Sequence, residues 1–353
     1  MAERLRIGQV LTASTGGIGR HVASVVRRLI DAGQVVQVWC PPATAAQHLA
    51  GIQGLQVHPL TDLGRLRGAD IVHAHGYRAT ALAGLPARRA GIRLVSSWHN
   101  DIPPAPSQGG RLPDHLAGLA TRRAAALVAD LVLGASADLV RAARALGTPA
   151  EPGPVAAPTL AAVRRDRATV RAELGADPSA TVMLTIGRLA PQKNLGMLME
   201  IASQLVGRPE LQFWLAGDGP ERAAVAATIA QRNLRVTMLG RRDDVPDLLA
   251  AADVCLLTSR WEARALVAQE ALQAGLPLLA TRVGGIPELV GAAAMLVRSS
   301  DAAGAASGIE QLAAHPDRRR RLRALGLAQA ATWPDEDQVA DAVLAAYRRL
   351  LAI

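Results

Sequence analysis

Short β-branched runs alternate with Ala-, Arg- and Leu-rich helical stretches along the whole chain, and the alternation is broken once, near its middle. Strands are predicted near 5–11, 35–40, 70–73 and 93–97, with helices near 18–32, 77–90 and 113–129 between and after them. The stretch Glu151-Pro152-Gly153-Pro154-Val155-Ala156-Ala157-Pro158 is too rich in Pro and Gly for a helix interior and reads as a linker. The alternation then restarts, with strands near 181–186, 211–216, 235–239, 253–257, 277–280 and 294–297 and helices near 194–206, 220–231, 265–274 and 302–313. Such a pattern calls for parallel strands covered on both faces. The expectation is α/β, two doubly wound domains in tandem, and 353 residues suffice for two cores. Ligands of such a pair sit at the carboxyl ends of the strands, in a cleft between domains. A last helix opens at Trp333-Pro334-Asp335, with Asp335 or a neighbour as N-cap, and runs to Leu351.

Of 39 basic side chains only one is lysine, Lys193. An ammonium is a compact point charge, whereas a guanidinium is a wide planar fork. The lone lysine also excludes chemistries. A P-loop needs Gly-Lys-Ser/Thr, but Gln192 and Asn194 flank Lys193. A Schiff-base enzyme would have to use Lys193 itself. A Tyr-x-x-x-Lys dehydrogenase would need Tyr where Leu189 stands.

The charge is uneven: residues 1–160 carry 16 basic and 9 acidic groups, residues 161–353 carry 23 and 21. The basic first half admits phosphates or anionic lipid headgroups as partners, or a merely solvated surface. Eight aromatic residues in the whole chain offer no stacking platform, so nucleic acid is not an expected partner. Cys40 and Cys255 read as reduced core residues with neither disulfide nor zinc spacing. Charges in Met1-Ala2-Glu3-Arg4-Leu5-Arg6 argue against a signal peptide and no apolar run spans a bilayer, so the expected location is cytoplasmic.

Several loops carry candidate chemistry. The first strand ends in Thr12-Ala13-Ser14-Thr15-Gly16-Gly17-Ile18-Gly19, a glycine turn whose amides either meet a phosphate or simply make a tight turn. His73, His75 and His99 stand just past strand-like runs, where a histidine hydrogen-bonds a hydroxyl, acts as a base or makes a merely structural hydrogen bond; His99, ahead of a Pro- and Gly-rich loop, is the strongest candidate of the three. Gly187-Arg188-Leu189 ends a strand and Gln192-Lys193-Asn194 opens the next helix, an anion trap suited to a diphosphate. Glu262 lies in a loop and Glu270 in the helix beginning near Ala265, so the amides of Leu266 and Val267 fall between two carboxylates able to accept from sugar or ribose hydroxyls.

Taken with Ala216-Gly217-Asp218-Gly219-Pro220 and Thr281-Arg282-Val283-Gly284-Gly285-Ile286-Pro287-Glu288, these motifs resemble the retaining GT-B glycosyltransferases of family 4, the glycosyl transferases group 1. The resemblance implies two Rossmann-like domains facing a central cleft. It places an acceptor domain at 1–160, completed by the helix 335–353, and a donor domain at 161–334. It implies a nucleoside-diphosphate sugar as donor substrate, no metal and no cofactor. On that pattern Arg188 and Lys193 neutralise the diphosphate, Glu270 binds the ribose and Glu262 holds the sugar. Gly187 belongs to the donor loop, Gly16 and Gly17 approach the diphosphate, and His99 contacts the sugar or the charge developing near its anomeric carbon. The clusters Asp243-Asp244 and Asp335-Glu336-Asp337 carry no metal role. Ala263-Arg264-Ala265 departs from the family's usual Gly-Phe-Gly and bears on the choice of sugar. The acceptor is left open among glycolipid, polysaccharide and small molecule. Arg111, His115, Arg122 and Arg123, on the helix after the Pro-rich loop 102–113, are candidates for peripheral contact with anionic membrane or are simply solvated. Two other readings compete: an inactive nucleotide-sugar-binding protein, and a sugar-nucleotide epimerase.

Overall fold

The computed structural model of the chain describes residues 4–14, 17–102, 111–153, 155–156 and 159–352. They divide into two compact units, residues 1–158 with 334–353, and residues 159–333.

In the first unit the chain runs β1 (Arg6–Leu11), α1 (Gly17–Asp31), β2 (Val35–Trp39), α2 (Pro42–His48), β3 (Gln56–His58), a 3₁₀ stretch (Leu60–Gly68), β4 (Ile71–His75), α3 (Tyr77–Arg89), β5 (Arg93–Trp98), α4 (Leu112–Val128), β6 (Leu131–Gly134), α5 (Ala137–Ala145) and β7 (Ala150–Pro152). The sheet has the order β3-β2-β1-β4-β5-β6-β7 and every pairing is parallel. Strand order reverses between β1 and β4, which puts their carboxyl ends at the crevice where ligands of such sheets bind. Register sets Leu11 opposite His75 and His75 opposite Ser97. The strand expected to stop at 73 thus continues through His75, and both histidines lie inside it. The segment expected as a linker begins as the edge strand β7, and Val155 and Ala156 beyond it are buried.

The second unit runs α6 (Arg167–Glu173), β8 (Thr181–Ile186), a 3₁₀ turn (Pro191–Lys193), α7 (Leu195–Gln204), β9 (Leu211–Ala216), α8 (Arg222–Gln231), β10 (Val236–Gly240), α9 (Val245–Ala251), β11 (Val254–Leu257), α10 (Leu266–Gln273), β12 (Leu278–Thr281), α11 (Ile286–Val290), β13 (Ala294–Val297), α12 (Ala302–Ala314) and α13 (Pro316–Ala330). Its sheet is also all parallel, in the order β10-β9-β8-β11-β12-β13, with the reversal between β8 and β11. Continuous apolar runs such as Val-Cys-Leu-Leu in β11 are fully buried, as a sheet covered on both faces requires. Arg171, buried beneath this core, is held by Asp253 and by the Ala180 carbonyl oxygen.

The last helix, α14 (Glu336–Leu351), returns to the first unit. Asp335 caps it through a reciprocal pair: its carboxylate accepts from the Gln338 amide at 2.7 Å, and the Gln338 side chain accepts from the Asp335 amide at 3.0 Å. Val339, Val343, Leu344 and Tyr347 at helical spacing join the core built by β1, β2 and α1. Arg28 of α1 ties the helix start through Glu336 and Asp337. Among the described residues no helix is long and apolar enough to cross a membrane.

Candidate active site

In the second unit the candidate residues gather where β8 and β11 end. Gly187, Arg188, Lys193 and Thr258 line one cleft there. Lys193 does not open α7 as expected; it closes the 3₁₀ turn, and Asn194, in the left-handed region at φ 51°, links that turn to the helix. The turn and the loop after β11 are stitched together. The Lys193 carbonyl accepts from Thr258 Oγ1 at 2.9 Å, the Gln192 carbonyl from the Arg260 amide at 2.8 Å, and the Trp261 carbonyl from Gln192 Nε2 at 3.0 Å.

Across this seam Lys193 Nζ donates to Glu262 Oε1 at 2.5 Å, and Ser259 Oγ donates to the same oxygen at 2.7 Å. Glu262 is buried, and its backbone is fixed from the other side, where its carbonyl accepts from the Gly285 amide at 2.8 Å. A Cβ on Gly284, at φ +49°, would stand 2.0 Å from that carbonyl, so only glycine lets the 284–285 loop approach. The two groups expected to serve diphosphate and sugar separately are therefore paired with each other. Arg188 differs: it is exposed and no described residue pairs with it, leaving its guanidinium free for an anion.

The helix α10 begins at Leu266, one residue later than expected, and Ala265 at its N-cap has no side-chain oxygen to offer. The first-turn amides of Leu266 and Val267 consequently lack an intrahelical partner and are available to a ligand. Glu270 lies in the same helix, buried. Arg264 is partly buried; burial lowers its pKa, opposed by the charge of Glu288, and its Nε is buried with no partner among the described residues. Asp244 pairs with Arg165 and Arg242, a structural use of that acidic cluster.

In the first unit, Gly17 is the first residue of α1, and Gly16 lies outside the described residues. The Ser14 hydroxyl accepts from the Gly19 amide at 2.9 Å, and a Cβ on Gly19 would meet the His48 ring at 2.3 Å, so Gly19 serves helix packing. His99 follows β5 at the carboxyl edge of the sheet, 9 % exposed. Its Nε2 lies 3.2 Å from His75 Nδ1, and the His21 ring stands edge-on 5.1 Å away. Burial pushes the pKa of His21 down to about 4 and of His73 to about 3, the second also lowered by His21; His75 and His99 are held well below the usual imidazole value, first by burial and then by neighbouring histidines. All four are neutral at pH 7. His73 and His75 face inward in β4 and belong to the buried hydrogen-bond network, not to a free edge. Burial likewise raises the Cys40 thiol to about 11 and Cys255 to about 12, keeping both inert. Sequence reading missed Ser259, Gln9 and Tyr347; the available signal was Gln9 itself, an amide side chain between apolar neighbours in β1.

Comparisons with known proteins follow the same division. A family model described as glycosyl transferases group 1 matches residues 180–315, and one described as glycosyltransferase family 4 matches residues 15–156. The chain is 30% identical over 380 residues to D-inositol 3-phosphate glycosyltransferase 1 of Catenulispora acidiphila, covering 97% of this chain and 83% of that one. It is 31% identical over 163 residues to the N-acetyl-alpha-D-glucosaminyl L-malate synthase of Bacillus anthracis, covering 45% of this chain and only 43% of that one. The crystal structure of Anabaena HepE with UDP and glucose superposes with a TM-score of 0.82 at 19% identity, covering 98% of this chain and 100% of that one. That likeness shows the fold, GT-B.

Proposed function

The chain belongs to the glycosyl transferases group 1 and is a glycosyltransferase, and from that premise we propose a retaining enzyme that takes a nucleoside-diphosphate sugar as donor and needs neither metal nor cofactor. The observation that carries the reading is the cleft at the β8–β11 reversal, with an unpaired guanidinium, Arg188, beside the Lys193–Glu262 pair. A donor diphosphate draws Lys193 away from Glu262 and sits between the two cations. Together they offset the charge that develops as the anomeric carbon–oxygen bond breaks, a task that preorganised cations perform well out of water. Glu262, released, accepts from a sugar hydroxyl, the Leu266 and Val267 amides face the donor, and Glu270 takes the ribose hydroxyls. Gly187 leaves room for the Lys193 stem, since a Cβ there would stand 3.1 Å from Lys193 Cε. In the first unit the proposed ligand groups are the Gly17 amide at the start of α1, suited to an anion, and His99, suited to a hydroxyl. Retention means that the new bond forms on the face from which the diphosphate departs.

The epimerase and inactive-protein readings are not favoured, because relatives that match, the Catenulispora acidiphila protein among them, are named glycosyltransferases. A thermal-shift panel of nucleotide sugars, headed by uridine diphosphate sugars because HepE is described with UDP and glucose, tests the donor. At tenfold excess over Kd the true donor stabilises by about 1.4 kcal/mol, roughly 3–6 °C for a unit of this size, and is slowly hydrolysed without acceptor. No stabilisation, hydrolysis or transfer across the panel would end the reading.

The acceptor belongs to the first unit on this proposal, and one surface favours a lipid setting. Arg78, Leu82, Leu85 and Arg89 form one exposed stripe along α3, and α4 exposes Leu112, Leu116, Leu119 and Leu127 with Arg123. Exposed leucines framed by arginines suit an anionic bilayer surface. Vesicles with about one-third phosphatidylglycerol should co-sediment the protein at low salt and release it at high salt, with Leu82→Ser/Leu116→Ser binding several-fold less. Absence of low-salt binding rules this contact out.

A further inference from the structure

Six buried side chains of the first unit are joined end to end: His99, His75, Gln9, Tyr347, His73 and Ser97. The links are 3.2 Å from His99 Nε2 to His75 Nδ1, 2.7 Å from His75 Nε2 to Gln9 Oε1, 3.0 Å from Gln9 Nε2 to Tyr347 Oη, 2.6 Å from Tyr347 Oη to His73 Nδ1, and 2.7 Å from His73 Nε2 to Ser97 Oγ. The amide gives this chain a direction, because its oxygen only accepts and its nitrogen only donates. His75 must donate from Nε2 to Gln9 Oε1. Being neutral, it then has a bare Nδ1, to which His99 must donate from its own Nε2. On the other side Gln9 donates to the Tyr347 oxygen, whose single proton goes to His73 Nδ1, and His73 donates from Nε2 to Ser97. One amide thus decides the tautomer of three imidazoles.

We propose that Gln9 and Tyr347 are positioning residues that hold His99 as an Nε2–H imidazole, so that it presents a bare Nδ1 to the substrate. No described residue bonds that nitrogen. A lone pair there accepts from a hydroxyl and repels a phosphate oxygen, so the group His99 meets is a sugar or acceptor O–H and not the diphosphate. This deepens the role assigned to His99 and rests on it for the kinetic consequence alone. Tyr347 matters because the amide is nearly symmetric in shape. While the phenol accepts from Gln9 and donates to His73, the amide cannot turn over without changing His73 as well, so the whole chain must reverse together.

Long-range nitrogen–proton spectra of the ¹⁵N-labelled full-length protein at pH 7, assigned with His99→Gln and His75→Gln, read the tautomers without any substrate. His99 and His75 are expected as single Nε2–H forms. Tyr347→Phe frees the amide, and Gln9→Met removes it; each should leave His75 and His99 mixed between tautomers. With the donor found in the thermal-shift panel, kcat/KM should fall by the factor that the Nε2–H fraction of His99 falls. Wild-type His99 protonated at Nδ1, or unmixed tautomers in both variants, overturns the proposal. His99→Ala with unchanged donor turnover would instead remove the substrate contact of His99, leaving the tautomer result in place, so the two failures are distinct.

Discussion

Lys193→Ala should lower turnover by about two to three orders of magnitude while leaving the protein folded. The magnitude is that of removing one preorganised donor from a site where charge develops. Its carrier is an ammonium 2.5 Å from Glu262 in a cleft it shares with Arg188. The substitution has a second effect to be separated from the first. Without Lys193 the Glu262 carboxylate, 9 % exposed at the side chain, keeps only the Ser259 hydroxyl among the described residues. Breaking one partner of a buried pair costs a few kcal/mol, here reduced because Lys193 is itself partly exposed. Adding Glu262→Gln to Lys193→Ala removes the stranded charge, so it should recover thermal stability without recovering turnover, and the double-mutant cycle reports the coupling. Lys193→Arg tests why lysine alone stands here. The stem passes over Gly187 with little room, and a planar fork cannot sit as a point charge against one carboxylate oxygen. Its turnover should fall between wild type and Lys193→Ala. Donor hydrolysis by Lys193→Ala within threefold of wild type would sink the diphosphate role.

What could be read ahead of the structure divides by the range of the interaction. The loops 187–194, 217–220 and 284–288 were legible because backbone requirements leave local marks: glycine where a carbonyl passes closely, Pro and Asn at the turn into α7. Strands β6 and β7 were not, since four and three residues carry no usable period. Helix α13 escaped for another reason. Its run Asp317-Arg318-Arg319-Arg320-Arg321 has no apolar stripe, and only Gly326 is buried. The ends of β4 were misjudged because His73 and His75 look like polar punctuation. They are buried because Tyr347, 274 residues beyond His73, supplies the partner that makes burial affordable. The Lys193–Glu262 pair spans 69 residues and left no mark in either segment. Sequence supplied the candidate groups, and only the fold shows that two of them, Lys193 and Glu262, hold each other.

Gly217→Ala should be the most disruptive single-methyl change in the second unit, and Gly196→Ala its counter-case. Gly217 follows β9 at φ +141°, and its amide donates to the Gly240 carbonyl at 2.7 Å. A Cβ there would stand 1.8 Å from the Gly187 carbonyl oxygen, a backbone atom that cannot swing aside. Gly187 in turn donates to the Ala216 carbonyl at 3.0 Å, so relieving the clash means parting β8 from β9 at the end that carries Arg188. Strain and a lost ladder bond together cost roughly 3–5 kcal/mol, a melting shift on the order of 10 °C. Gly196, by contrast, is exposed in the first turn of α7 with nothing within 4 Å of an added Cβ. Alanine there should stabilise by up to about 1 kcal/mol through the backbone freedom it removes from the unfolded chain. Hydrogen exchange localises the difference: Gly217→Ala should speed exchange in β8 and β9 around residues 184–188 and abolish donor stabilisation, while Gly196→Ala leaves both as they are. A Gly217→Ala protein melting within about 2 °C of wild type and still stabilised by donor would show that Gly187 and Arg188 do not depend on this close approach, and the cleft would have to be rebuilt on other contacts.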